Sequence, residues 1–74
     1  MSTFEKLAQL IENYVEVDQV QSEDNFKLDL GMSSFDTVCL VNDIKNSFGV
    51  ELKATDFINN KTVGEMAKYI DSLL

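Results

Sequence analysis

Two adjacent serines, Ser33 and Ser34, stand where an acid-rich stretch meets the most apolar helical segment of the 74-residue chain. A hydroxyl at a helix start is reachable from solvent and sits beside unpaired backbone N–H groups. Such a hydroxyl has two chemical uses. As a nucleophile it needs a base to take its proton. The chain has no His, and none of its lysines is near Ser34 in sequence. As a substrate it needs no base of its own, because a modifying enzyme brings one. Ser34 is therefore read as the acceptor of a group attached by another enzyme. The plainer alternative stays open at this point: Ser33 caps a helix and Ser34 merely begins it.

Other reactive types offer less. Cys39 is the single cysteine and has no flanking cation to activate its thiol. It reads as a small apolar residue or a free thiol. No calcium loop of the EF-hand kind fits around Gly31 or Gly49, because Phe, Leu and Ile fill most of the positions that need Asp or Asn. The acid clusters read as solvated surface. No metal site is expected.

The elements that hold Ser34 follow from periodicity and capping. Phe4, Leu7, Ala8, Ile11, Tyr14 and Val15 recur at helical spacing and predict a first helix over 3–16. Ser2 with Glu5 makes a capping box at its start. Residues 17–32 have no helical period. Phe26, Leu28 and Leu30 alternate, which suits either a strand or a loop that tucks alternate residues under itself. With no partner strands in sight, a loop is expected, and one so long in a small domain is often functional. Gly31 supplies a permissive turn before the next helix.

A second helix is predicted over 33–48, with Ser33 as N-cap, Asp36 as its N3 partner and Ser34 as the first helical residue. At about 100° per residue, Thr37, Leu40, Val41, Ile44 and Phe48 share a core stripe. Phe35, Val38 and Cys39 fall on roughly the opposite side, with Asn42 continuing the row. A small protein cannot bury both faces, so the second is expected to meet a partner. Gly49 ends this helix. Val50 and Leu52 drop into the core from an extended link. Thr55–Ile58 makes one helical turn, α or 3₁₀. Thr62 with Glu65 caps a last helix that carries Val63, Met66, Ala67, Ile70 and Leu73 inward. Gly64 weakens its first turn slightly.

Size and charge bound the function. The chain makes one small domain over 1–74, without room for a two-lobed catalytic cleft. A hydrophobic fraction of 45% supports a modest core, and a net charge of −7 repels phosphate backbones and anionic lipid. Nucleic acid and membrane are thus poor partners, and proteins with basic patches are good ones. No run approaches a membrane span. The lone cysteine and a start without basic residues suit a cytoplasmic, soluble protein.

The segment Asp29-Leu30-Gly31-Met32-Ser33-Ser34-Phe35-Asp36-Thr37-Val38 resembles the acyl carrier protein signature Asp-Leu-Gly-x-Asp-Ser-Leu-Asp-x-Val. Phe48-Gly49-Val50-Glu51-Leu52 resembles the stretch after that family's second helix. Thr62-Val63-Gly64-Glu65-Met66-Ala67-Lys68-Tyr69-Ile70 resembles the start of its last helix. The likeness covers almost the whole chain. Two departures stand at the motif: Ser33 replaces the family's Asp, which contributes to transferase recognition, and Phe35 replaces its Leu. Cys39 and Asn42 stand where fatty acid carriers commonly have Glu and Met, and Lys45 and Asn46 further dilute the acidity of this helix.

The resemblance implies an all-α four-helix bundle with three longer helices, a short third helix and a long loop between the first two. It implies a 4′-phosphopantetheine arm on the motif serine, Ser34, added by a phosphopantetheinyl transferase from coenzyme A. The arm's thiol would carry acyl groups as thioesters for fatty acid or related biosynthesis, and the chain itself would catalyse nothing. The register favours Ser34 over Ser33, since Gly31 lies three residues before it and Phe35-Asp36 follow it. The expected docking face is Phe35, Asp36, Val38, Cys39 and Asn42, with Asp29 and Asp56 as rim charges. Its partners would be acyl-processing enzymes with basic docking patches, and the carrier a monomer. A sheltering pocket would lie between the second helix and residues 52–58. The rival expectations are an aminoacyl or peptidyl carrier of the D-alanyl or nonribosomal type, and an unmodified helical interaction module.

Overall fold

A computed structural model describes residues 1–74 as four helices: α1 (Thr3–Ile11), α2 (Ser34–Phe48), α3 (Asp56–Asn59) and α4 (Val63–Leu73). There is no strand pair, only an isolated antiparallel bridge between Asn25 and Thr62. The three longer helices pack with α1 against both α2 and α4. The all-α bundle with a short third helix matches the expectation.

Each long helix begins with the capping box read from the sequence. The hydroxyls of Ser2, Ser33 and Thr62 accept from the N–H of Glu5, Asp36 and Glu65, and those carboxylates accept from the cap N–H in return. Each box removes two orphan donors from a helix start. Gly31 and Gly49 adopt φ of 65° and 72°, a region costly for a side chain with a Cβ. They bracket α2 on both sides.

The core is wholly apolar. Leu7, Ile11, Leu40, Ile44, Val63, Met66 and Ile70 are fully buried, and no polar side chain is buried with them. Val50 and Leu52 enter the core from the link after α2, as their alternation predicts. In place of buried polar bonds, side-chain pairs at the surface tie the helices together. Tyr14 donates to Asp43 on α2, and Thr3 donates to Asp71 on α4. The Lys6 ammonium lies 4.6 Å above the Phe48 ring.

Three expectations need correction. The first helix ends at Ile11 rather than near 16, because bonds from Asn13 N to Leu10 O and from Tyr14 N to Ile11 O tighten its last turn. That turn brings the Tyr14 hydroxyl to Asp43. The alternation of 26, 28 and 30 holds only in part: Phe26 and Leu30 are buried, but Leu28 is 86% exposed. The local turns of this segment follow a tighter repeat than a strand, so Leu28 is carried outward. Leu73, given to the core of the last helix, is half exposed at its C-terminal end.

Candidate functional site

The start of α2 is set by the loop before it, and the loop is set by Asn25. The Asn25 side-chain oxygen accepts from Lys27 N and Leu28 N, both at 2.9 Å. Asp29 Oδ2 reaches back to Asn25 N at 2.7 Å. Main-chain bonds from Asp29 and Leu30 to Asn25 O, and from Gly31 to Lys27 O, wind the segment into a tight coil. Met32 N then donates to Phe26 O at 2.9 Å, and Phe26 N donates to Lys61 O at 3.1 Å. The coil is thus pinned on the segment that leads into α4.

The same loop caps α4 from outside. Val63 N donates to Asp24 O at 3.0 Å, and Gly64 N donates to Ser22 O at 2.8 Å. A Cβ on Gly64 would meet Ser22 O at 3.0 Å and Ser22 Cβ at 3.2 Å. The sequence shows Gly64 only as a weak point in a helix. Its role is to let another backbone come close, a relation between distant segments that local pattern does not carry.

The two serines separate clearly. Ser33 is engaged on three sides: its hydroxyl accepts from Asp36 N at 3.1 Å, its N–H donates to Asp36 Oδ2 at 3.0 Å, and its carbonyl accepts from Thr37 N and Oγ1, both at 3.0 Å. Ser34 is exposed, its hydroxyl makes no intramolecular hydrogen bond, and it lines a cavity of about 460 Å³. The cavity lies between the first turns of α2, the Asn25 coil and the Ala54–Ile58 stretch. Phe26, Leu28, Val38, Phe57 and Ile58 give it apolar walls. Phe26 meets Phe57 edge to face at 5.0 Å, which fixes the short α3 against the loop. The expected pocket beside residues 52–58 is therefore present, with the Asn25 coil as a wall the sequence did not announce. Leu52 lies instead on a smaller concavity of about 270 Å³, with Val38, Val41 and Asn42.

The remaining docking candidates divide by what they touch. Phe35 and Val38 are 76% and 61% exposed, Asn42 is exposed, and Cys39 is half-buried. These sit together on the outer side of α2. The acids do not project in the same way. Asp36 is held in the capping box, and Asp29 in the Asn25 coil. Asp56 accepts from Lys53 N at 2.7 Å and is half-buried; its charge pushes the Tyr69 hydroxyl pKa up. Asp43, the other α2 carboxylate, is bonded to Tyr14. Both carboxylates of α2 thus have hydrogen-bond donors within the molecule while staying at its surface. Lys45 is paired with Glu51 at 3.0 Å, and the exposed Phe35 and Val38 make the face beside Ser34 largely apolar.

A group joined to a serine through a phosphodiester needs an accessible, unshared hydroxyl with space beside it, and the start of α2 supplies both. The model for the phosphopantetheine attachment site family matches residues 5–70. Among solved structures, the acyl carrier protein of Enterococcus faecalis, described for its high thermal stability, is 30% identical. That match covers 97% of this chain and 98% of that one, with a TM-score of 0.69. The PaxA T1-CDD/PaxB NDD docking-domain complex of the Pax NRPS matches with a TM-score of 0.81 at 22% identity. The match covers 93% of this chain and 65% of that one, so this chain spans about two thirds of that relative's length and shares its fold.

Proposed function

The chain belongs to the phosphopantetheine-attachment family of carriers, and on that premise we propose that Ser34 bears the arm and that the cargo is an acyl group. One observation carries the choice of residue. Ser33 spends its hydroxyl on the helix cap, whereas Ser34 offers an exposed and unbonded one at the mouth of a cavity. When the arm is bound, its thiol holds cargo as a thioester. Ser34 contributes the oxygen that bonds to phosphorus. The pyrophosphate bond of coenzyme A breaks, adenosine 3′,5′-bisphosphate leaves, and the hydroxyl proton passes to a base on the transferase. No side chain of this chain bonds to Ser34, which supports a carrier that waits for a partner's chemistry rather than an enzyme.

Full-length likeness to an acyl carrier protein at 30% identity supports acyl cargo. The apolar outer face of α2, where Phe35 and Val38 are exposed, favours a second reading, an aminoacyl or peptidyl carrier. Asp36 and Asp43 on this helix each accept a hydrogen bond within the molecule, from Ser33 N and from the Tyr14 hydroxyl. Docking is assigned to Phe35, Val38, Cys39 and Asn42, with Asp29 and Asp56 outside the contact as weak rim charges.

The test is intact mass before and after incubation with a broad-specificity transferase and coenzyme A. Wild type and Ser33→Ala should gain one arm and Ser34→Ala none. Loss in Ser33→Ala alone would move the attachment to the neighbouring hydroxyl. Loading by an acyl-carrier synthetase against amino-acid adenylating enzymes then separates the two cargo readings.

A further inference from the structure

The cavity beside Ser34 inverts the charge of the molecule. The chain carries 13 acidic side chains against 6 lysines. Yet the cavity lining includes Lys27 and Lys61 and no Asp or Glu. The two lysines come from backbones that are joined, since Phe26 N donates to Lys61 O and Asn25 bridges Thr62. They stand on the wall where the coil meets the lead-in to α4, and Ser34, Thr37 and Val38 line the same space from α2. Neither lysine lies within salt-bridge distance of a carboxylate, the molecule's one salt bridge being Lys45–Glu51, though the Lys61 charge also helps hold the Glu65 carboxyl low. Glu65, four residues beyond Lys61, gives its carboxylate to the Thr62 N–H and hydroxyl. Both lysines are exposed, so their ammonium groups can turn toward an anion held at the rim of the cavity, where the attraction between opposite charges falls off with distance and with intervening water.

Whatever is tethered to Ser34 starts at the edge of this space. Resting on the assignment of the arm to Ser34, we propose that Lys27 and Lys61 hold an anionic group carried on the arm. The shared chemistry is a phosphoryl or carboxylate oxygen against two ammonium groups. Its sources are the arm's own phosphodiester and a free carboxylate on a dicarboxylic acyl cargo. The apolar walls formed by Phe26, Val38, Phe57 and Ile58 take the carbon skeleton of the same cargo. The volume of about 460 Å³ falls within the range of small-ligand sites.

The two sources are read by separate signals. A transferase loads the protein from succinyl coenzyme A labelled with ¹³C at the terminal carboxylate, and mass confirms the arm. The pKa of that carboxylate is then followed by NMR and compared with free succinyl-pantetheine. The net charge of −7 alone would raise it. Contact with the lysines should lower it by about half a unit or more, and the shift should vanish in a Lys27→Gln/Lys61→Gln double variant while Lys53→Gln, away from the cavity, keeps it. In protein carrying the arm without cargo, a ³¹P shift that moves in the double variant alone identifies the phosphodiester as a held anion. A carboxylate pKa equal to or above the free value, together with an unchanged ³¹P resonance, overturns the inference while the Ser34 assignment stands. Unchanged mass after the transferase reaction overturns that assignment and this inference with it.

Discussion

Ser33→Ala and Ser34→Ala should have opposite effects on stability and on modification. In Ser33→Ala the Asp36 N–H loses its acceptor at 3.1 Å, while the return bond from Ser33 N to Asp36 Oδ2 at 3.0 Å and the two Thr37 bonds to the Ser33 carbonyl survive. The site is exposed, so water replaces part of the lost bond. The cost is that of an N-cap removal, about 1 kcal/mol. For a domain of this size that lowers the melting temperature by roughly 4–8 °C. Ser34 makes no side-chain hydrogen bond and is exposed, so its replacement by the better helix former should change stability by less than about 0.5 kcal/mol. Thermal unfolding followed by circular dichroism measures the first quantity, and intact mass after transferase treatment measures the second. The expected pattern is a destabilised Ser33→Ala that still accepts the arm and a stable Ser34→Ala that does not. Two results would refute the reasoning: a Ser34→Ala protein destabilised by about 1 kcal/mol or more, which would give that hydroxyl a structural role, or a folded Ser33→Ala protein that never gains mass.

Gly64→Ala gains about 1 kcal/mol of helix propensity but drives a Cβ to 3.0 Å from Ser22 O. The loop must shift, and a net loss of about 1–2 kcal/mol is expected in denaturant unfolding; a stabilised variant would show that the loop gives way freely. Tyr14 donates to Asp43, and that bond, with burial and the nearby negative charge, pushes its pKa from 10.0 up to about 12. Its raised value means the contribution is complete below pH 10 and is lost as pH climbs toward 12, so wild-type stability should fall across that window while Tyr14→Phe shows a flatter profile. Glu5 and Glu65 are held below their usual 4.5, first by the backbone N–H of Ser2 and Thr62. Their contribution is therefore full above pH 4.5 and fades as pH drops through the lowered values; a Glu5→Gln/Glu65→Gln variant should lose less of its stability on acidification. Docking through Phe35 and Val38 should weaken at least about tenfold in Val38→Asp. It should vary less than about threefold between 50 and 300 mM salt in a kinetic assay with a partner enzyme, and a steep salt dependence would return the contact to carboxylates.

What the sequence made legible is what neighbouring residues decide. All three capping boxes, the register of Ser34 at the first helical position and the two faces of α2 depend on spacings of three or four residues. Val50 and Leu52 were readable because alternation in a short link leaves few options. The end of α1 was not, because the Tyr14 hydroxyl finds its acceptor 29 residues away. Leu28 was misplaced because the Asn25 coil replaces an alternating strand with successive turns. The cavity was seen in outline from α2 and the segment after it. Its third wall depends on contacts between residues 25–28 and 61–62, which periodicity does not reveal.

The bonds from Val63 and Gly64 to the carbonyls of Asp24 and Ser22 also impose an order of events on the chain. The coil that delivers Ser34 lies in the first half of the molecule, but its anchor lies in the last fifth. During synthesis, residues 22–34 leave the ribosome well before residues 61–64 can meet them. Until then the coil lacks its outer fastening, and Phe26 lacks the carbonyl of Lys61. A nascent or prematurely released chain would hold the coil and the start of α2 by their local bonds alone, without the cavity wall that Lys61 supplies. An enzyme that reads the fastened coil and the cavity wall beside Ser34 would therefore act on chains in which residues 61–64 have joined the fold and pass over the rest.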